Sequence, residues 1–204
     1  MDIFDKCADI SQRARGARDS GFYPYYRSLS SAQDPTVLCD GQELVMLGSN
    51  NYLGLANHPE VKEAAAVALA MYGSGAAGSR LLNGTLDLHV ELEARLAAFT
   101  GREAALTFPT GFQVNLGVLS SLLGRHDIAV LDALDHACII DGCRLGFGRS
   151  VKFRHNDMTD LARKLGSLSE ERGVLVVVDG VFSMRAMSHP STRSSDSRVL
   201  RAHA

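Results

Sequence analysis

The chain is written in two periods. Between Asp2 and Ser20, DIFDKCADISQRARGARDS spaces a few apolar residues among charges, which predicts an amphipathic helical arm. GFYPYYRSLSS follows as an aromatic linker broken by Pro24, and ELVMLGSNNYLGL begins as a short apolar strand and ends in a turn. HPEVKEAAAVALAMYG returns to helical spacing. Pro59 sits near its first turn, Val61, Ala65, Ala68 and Tyr72 share a face, and Gly73 stops it. DLHVELEARLAAFTG is a second helix, with Leu88, Leu92, Leu96 and Phe99 recurring at helical spacing. From there strands and helices alternate: EAALTF, GFQVNLGVLSSLLG, DIAVLD, HACIIDGCRLG, SVKFR, DMTDLARKLGSL, GVLVVVDG. That order predicts an α/β fold with a mostly parallel sheet covered by helices on both faces. No internal repeat interrupts it.

Composition narrows the classes. Of 204 residues, 46% are hydrophobic, enough for a sizeable core and against disorder over most of the chain. The net charge of -2 gives no electrostatic case for nucleic acid or an anionic membrane. No apolar run has the length of a membrane span, and MDIFDKCADISQRARG does not read as a secretory signal. Cys7, Cys39, Cys138 and Cys143 lack C-x-x-C spacing. Reduced thiols in a cytoplasmic protein are therefore expected, not a disulfide framework or a zinc site.

Gly73-Ser-Gly75-Ala-Ala-Gly78 matches the dinucleotide fingerprint G-x-G-x-x-G letter for letter. The fingerprint works only between a strand and a helix, where the pyrophosphate meets the helix N-terminus. Here a helix precedes it, SRLLNGT intervenes before the next helix, and no acidic residue closes a second strand about 20 residues on. The glycines fit a tight bend and close approach to a ligand or another chain better than a nicotinamide site.

Three strand ends carry candidate chemistry. At LTFPTGFQVNLG, Thr110, Gly111 and Phe112 open a helix and gather backbone N–H groups and a hydroxyl, a phosphate cradle by geometry. An ordinary helix start with Thr110 as N-cap explains the same residues equally well. His136 follows DIAVLD and heads the next helix, where it could stack on a flat ring or simply cap the helix. Asp179 and Ser183 follow GVLVVV at the same sheet edge, where ligands of parallel sheets gather. In FRHND, Asn156 or Asp157 is expected to cap a helix, with no chemistry implied.

Taken in order, SNNYLGLANHPEV, YGSGAAGSRLLNGT, LHVELEARLAAFTG, FPTGFQVNLG, DHACIIDG, FRHND and DGVFSM resemble the α-oxoamine synthases. These include 8-amino-7-oxononanoate synthase, 2-amino-3-ketobutyrate CoA ligase, 5-aminolevulinate synthase and serine palmitoyltransferase. The resemblance runs from about residue 20 to 184, and TGFQVNLG and NGTLDLH lean toward the serine palmitoyltransferase branch. It implies a fold-type-I transferase dependent on pyridoxal 5'-phosphate (PLP). Such an enzyme condenses an amino acid with an acyl-CoA or acyl-carrier thioester and releases carbon dioxide. By position, Gly111 and Phe112 would hold the phosphate and His136 would stack on the pyridine ring. Ser183 would lie near the phenolic oxygen, and Asn50 or Asn51 near the amino-acid substrate or cofactor. Asp179 stands where the family usually has Glu, and Cys138 where it has Ser. The glycine segment would serve an obligate homodimer interface.

The resemblance also implies parts that do not appear. The Schiff-base lysine and the Asp for the pyridine nitrogen lie beyond Met184 in the family. None of Lys6, Lys62, Lys152 and Lys164 has the lysine's T/S-x-x-K context. The Ser- and Arg-rich segment after Met184 stands where the family has an acidic (D/E)GD-x-APL stretch. A one-base shift of reading frame is the expected origin of Arg185 to Leu200, since codons for a family-like EGDVAPLDEVVRLARA can be chosen that read as these residues one base on. The expected organisation is a helical arm and linker over 1–45, a partial PLP-binding large domain over 46–184 and an aberrant, disordered tail over 185–204. The chain alone is expected to be inactive. The alternative is a non-catalytic binding or dimerisation module that keeps the anion cradle.

Overall fold

The N-terminal arm is helix α1 (Asp5–Asp19), as its spacing predicts, and none of its residues is buried. These positions come from a computed structural model that describes residues 2–23, 25–168, 173–182, 187–188 and 199–202. The chain divides into two compact units, Met1–Thr85 and Leu86–Ala204.

In the first unit, β1 (Thr36–Cys39) and β2 (Gln42–Val45) form an antiparallel hairpin with Thr36 opposite Val45. Only β2 is anticipated by the apolar pattern. The missed signal for β1 is the Asp40-Gly41 pair, whose φ values of 51 and 76° make the two-residue turn that suits a hairpin's twist. Helix α2 (Pro59–Tyr72) starts at Pro59 and ends at Gly73, as expected. The glycine segment then folds back on itself. A Cβ on Gly84 would lie 1.9 Å from the Gly78 carbonyl oxygen, and one on Gly78 would lie 1.8 Å from Asn83 Oδ1. Gly84 is there because backbone lies against it and Gly78 because the Asn83 side-chain amide does, with a helix and no strand before them.

The second unit begins with α3 (Asp87–Thr100), closed by Gly101 in the left-handed region. The strand expected at EAALTF does not form: no strand spans 103–108 among the described residues. A strand needs a hydrogen-bonded neighbour, and here the Thr107 N–H donates to the Glu93 carboxylate at 2.8 Å. The rest follows the expected alternation through α4 (Gly111–Leu122), β3 (Ile128–Asp132), α5 (Ala137–Leu145), β4 (Arg149–Phe153), α6 (Met158–Gly166) and β5 (Val174–Asp179). Beyond β5 lie β6 (Val181–Phe182), β7 (Met187–Ser188) and β8 (Val199–Ala202).

The main sheet has the order β4-β3-β5-β8, and every pairing in it is parallel. Alternation along the strands sorts the core onto two faces. Ala129, Leu131 and Val177 pack with Leu119, Leu123, Cys138, Ile139 and Cys143 from α4, α5 and the loop after α4. Ile128, Val130, Val176 and Val178 pack with Phe153 and Leu161 of α6 on the other face. All five residues of β3 are buried, as a central parallel strand requires. Two strands stand in the 185–204 segment, where no element is expected. β6 pairs with β7, and β8 lies along β5 with Val176 opposite Val199, giving that edge of the sheet a backbone partner.

Candidate functional site

The carboxyl ends of β3 and β5 and the N-termini of α4 and α5 carry most of the candidate residues. Helix α4 starts where extended Thr110 (φ -144°, ψ 152°) turns into Gly111. Thr110 Oγ1 accepts the Gln113 N–H at 3.2 Å, so this hydroxyl serves as N-cap. The Gly111 and Phe112 N–H groups belong to the first turn, where a helix has no internal acceptor for them. A Cβ at Gly111 would meet nothing within 4 Å, so the approach to this turn is open.

Phe112 faces His136 edge-on, with ring centroids 6.4 Å apart and an interplanar angle of 81°. His136 caps α5, and its Nδ1 accepts the Cys138 N–H at 3.2 Å. An Nδ1 that accepts carries no proton, so the neutral ring's hydrogen is on Nε2. Buried Cys138 places Sγ 2.9 Å from that Nδ1 and accepts from Asn115 Nδ2 at 3.0 Å. The cysteine standing where the family has serine thus links α4 to the histidine cap. Close packing makes this possible: a Cβ on Gly142 of α5 would stand 2.6 Å from the Asn115 carbonyl oxygen.

Asp179 ends β5, and its Oδ2 accepts the His136 N–H at 2.8 Å. The shorter side chain therefore has a definite partner, the backbone of the histidine itself. Burial pushes the Asp179 carboxyl above its ordinary range, with the His136 N–H bond acting against it.

Two carboxylates escaped the sequence reading. Asp135 Oδ2 accepts the Asp132 N–H at 2.9 Å and Oδ1 accepts the Asp179 N–H at 3.0 Å, so one side chain ties the ends of β3 and β5. Burial, reinforced by the charges of Asp179 and Asp132, pushes Asp135 up to about 7 against those two N–H bonds. Asp132, fully buried, accepts the Leu134 N–H at 2.8 Å and the Asn156 N–H at 2.9 Å. Its Oδ1 also lies 2.9 Å from His155 Nδ1. The signal available was the spacing of LDALDH at a strand end, two acids where only the histidine drew attention. In FRHND, Asp157 caps α6 by accepting the Asp160 N–H at 2.8 Å, as expected, while His155 packs edge-on to Phe182 with centroids 4.6 Å apart.

The remaining candidates lie in the first unit or outside the described residues. Asn50 is exposed in the first unit. Asn51 is committed to its own loop, donating from Nδ2 to the Gln33 carbonyl at 3.0 Å and accepting the Ala56 N–H at 3.1 Å. Ser183 lies outside the described residues. Among the described residues no group of His, Cys, Asp and Glu is arranged to hold a metal ion, and no helix is long and apolar enough to cross a membrane.

Comparison with known proteins places this geometry. The serine palmitoyltransferase of Sphingobacterium spiritivorum is 53% identical over 167 residues, covering 82% of this chain and 42% of its own length. The 8-amino-7-oxononanoate synthase of Geobacter sulfurreducens is 48% identical over 178 residues, covering 86% and 45%. Among solved structures, a serine palmitoyltransferase variant from S. paucimobilis with bound PLP-myriocin aldimine superposes with a TM-score of 0.90 at 38% identity, over 94% of this chain and 49% of that one. The serine palmitoyltransferase of Sphingomonas wittichii gives 0.90 at 37% identity, over 98% and 52%. The chain spans about half the length of these relatives, 42% to 52%. The fold is that of the PLP-dependent fold-type-I transferases. The model for aminotransferases of class I and II matches residues 42–191, and the chain belongs to that family.

Proposed function

We propose that this chain carries the phosphate- and ring-holding half of a PLP site, in a cytoplasmic transferase that condenses an amino acid with an acyl-CoA or acyl-carrier thioester. The observation behind this is the convergence of the α4 N-terminus, the His136 ring and Asp179 at one end of the parallel sheet. The residues present suit the group. The open turn at Gly111 and Phe112 offers N–H donors and a helix dipole to a phosphate. His136, exposed and held at Nδ1, offers a ring face to a pyridine. When bound, PLP supplies a sink for the electrons released as the amino acid loses its carboxyl group.

The chain's own residues orient that group. Thr110 sets the start of α4, Cys138 fixes the His136 ring through its N–H, and Asp179 fixes the His136 backbone. Ser183 keeps the role its position implies, near the phenolic oxygen, and Asn50 or Asn51 that of a contact to the amino acid. A second copy of the chain is the natural cover for the apolar residues that α2 and α3 leave exposed. Lys62, Lys152 and Lys164 lie within α2, β4 and α6, and Lys6 within α1. None has the T/S-x-x-K context that the family's lysine occupies after a strand, which supports the reading that this chain alone holds the cofactor without a covalent bond and does not turn over.

PLP added to the purified chain is expected to acquire induced circular dichroism in its own absorption band. The signal should be lost in His136→Ala and competed away by inorganic phosphate, and borohydride should fix no PLP to any lysine. Absence of an induced signal at saturating PLP removes the cofactor reading. Stoichiometric fixation on one lysine removes the inactive one.

A further inference from the structure

A reciprocal pair of contacts joins the two strand ends beneath His136. Asp135, the residue before the histidine, accepts the Asp179 N–H at 3.0 Å, and Asp179 returns the contact by accepting the His136 N–H at 2.8 Å. The second oxygen of Asp135 accepts the Asp132 N–H at 2.9 Å. The turn that carries the imidazole is thus bolted to both β3 and β5 through side chains that never touch the ring. Asp135 is only 5% exposed and Asp179 6%. The two acceptor positions of Asp135 are therefore spent on these amides and not on water.

We propose that Asp135 is a positioning residue for His136: its carboxylate, through the reciprocal clamp with Asp179, fixes where the imidazole stands against the head of α4. The proposal rests on the reading above only for what His136 faces; the clamp is a property of this chain with or without a cofactor.

The clamp needs both oxygens of Asp135 as acceptors. Protonation turns one of them into a hydroxyl oxygen and removes the negative charge, so the N–H bonds they accept lose their charge assistance and weaken. The groups around Asp135 favour that proton. Asp132 of β3 and Asp179 of β5 bring negative charge, while Cys143 of α5 stays neutral, its thiol pushed up to about 11 chiefly by burial. His136 is coupled to the clamp through Asp179. With Asp135 near 7, the clamp is closed in mildly alkaline solution and loosens as pH falls through neutrality.

Amide hydrogen exchange by NMR on the full chain tests this, with protection factors corrected for the intrinsic pH dependence. In the wild type, protection of the His136 N–H should fall about tenfold between pH 8 and 6, the size expected for losing a charge-assisted contact. Protection of Val130 and Val177 in the sheet core should not fall with it. Asp135→Asn, nearly isosteric but with one acceptor oxygen, should leave His136 about tenfold less protected at pH 8 and abolish the pH step, while Asp135→Glu should restore a step. A His136 amide that is indifferent to pH and to Asp135→Asn overturns the proposal, as does one that changes only in parallel with Val130 and Val177. If Asp135→Asn does not fold, the wild-type profile alone decides. A chain that takes up no PLP leaves this outcome standing, and a missing step leaves the induced-dichroism test standing.

Discussion

Burial of a carboxylate has a cost whose sign can be read in a pH profile. Asp135 is raised to about 7 and Asp179 is raised as well, both chiefly by burial. Between the ordinary carboxylate range and about 7 the folded chain holds protons that the unfolded chain has released. Stability contributed by these groups is therefore highest in mild acid and is lost as pH rises through 7. Asp160 runs the other way. The Arg154 N–H and the Arg163 side chain hold it below its ordinary range, so its contribution is lost only at lower pH. Urea midpoints followed by circular dichroism should therefore decline from pH 5 to 7 and level off above. The decline should flatten in Asp135→Asn, which removes a burial cost on the order of a few kcal/mol. An unchanged slope in that variant would assign the profile to other groups. A second residue tests packing. A methyl at Gly142 meets backbone of α4, the Asn115 carbonyl oxygen at 2.6 Å, and Leu119 Cβ at 3.2 Å. Backbone cannot swing aside as a side chain can. Gly142→Ala should lower the melting temperature through a loss of about 1–3 kcal/mol, and an unaffected melt would mean that α5 slides freely on α4. At this scale the sequence exposed Thr110, Gly111, Phe112, His136 and Asp179, because each follows a strand or opens a helix. It concealed Asp132 and Asp135. Their function is to bond amides brought together from residues 44 and 24 positions away, and no local spacing encodes that.

Among the elements, helix starts were the most legible feature, because capping is decided within four residues. Pro59, Thr110, His136 and Asp157 all stand where the pattern puts a helix start. Strands were legible only where the sheet supplies a partner. DIAVLD and GVLVVVD have one on each side, whereas EAALTF, no less apolar, pairs with no strand among the described residues. The reverse error has the same origin: β8 sits in a Ser- and Arg-rich segment without an apolar period, yet the open edge of β5 accepts its backbone. Hydrogen bonding to an edge asks little of side chains. The cap of α4 separates two roles for one residue. Thr110→Ala removes the acceptor for the Gln113 N–H and should cost about 1 kcal/mol of stability, whereas Thr110→Ser should cost much less. If the threonine acts only as a cap, Thr110→Ser should also keep the induced dichroism of PLP. A Thr110→Ser chain that melts normally but loses that signal would give the γ-methyl group a part in the site.

On the scale of the whole molecule, the distribution of apolar surface is uneven. The sheet of the second unit buries side chains on both faces, yet α2 has no buried residue and α3 has only Ala97. Val67, Leu69 and Met71 of α2 are 63%, 57% and 73% exposed, and Phe99 of α3 is 89% exposed. These helices are spaced as if to bury a face. Isolated exposed apolar residues are ordinary, but Val67 and Met71, one turn apart on the same side of Ala-rich α2, form a patch that water disfavours. The reading above commits this surface to a second copy of the chain, beside the glycine segment that α2 leads into. Sedimentation of the purified chain should then show association that grows with concentration and weakens on cooling, as apolar contacts do. Val67→Lys with Met71→Lys should shift the distribution to monomer, because each places an ammonium on the one face where the partner presents apolar surface. Neither residue is a member of the core clusters around β3 and β5, so induced dichroism of PLP should persist in the monomeric variant. Association that survives both lysines would move the contact elsewhere, and a wild-type chain that sediments as a monomer at every concentration would leave α2 uncovered and refute the dimer.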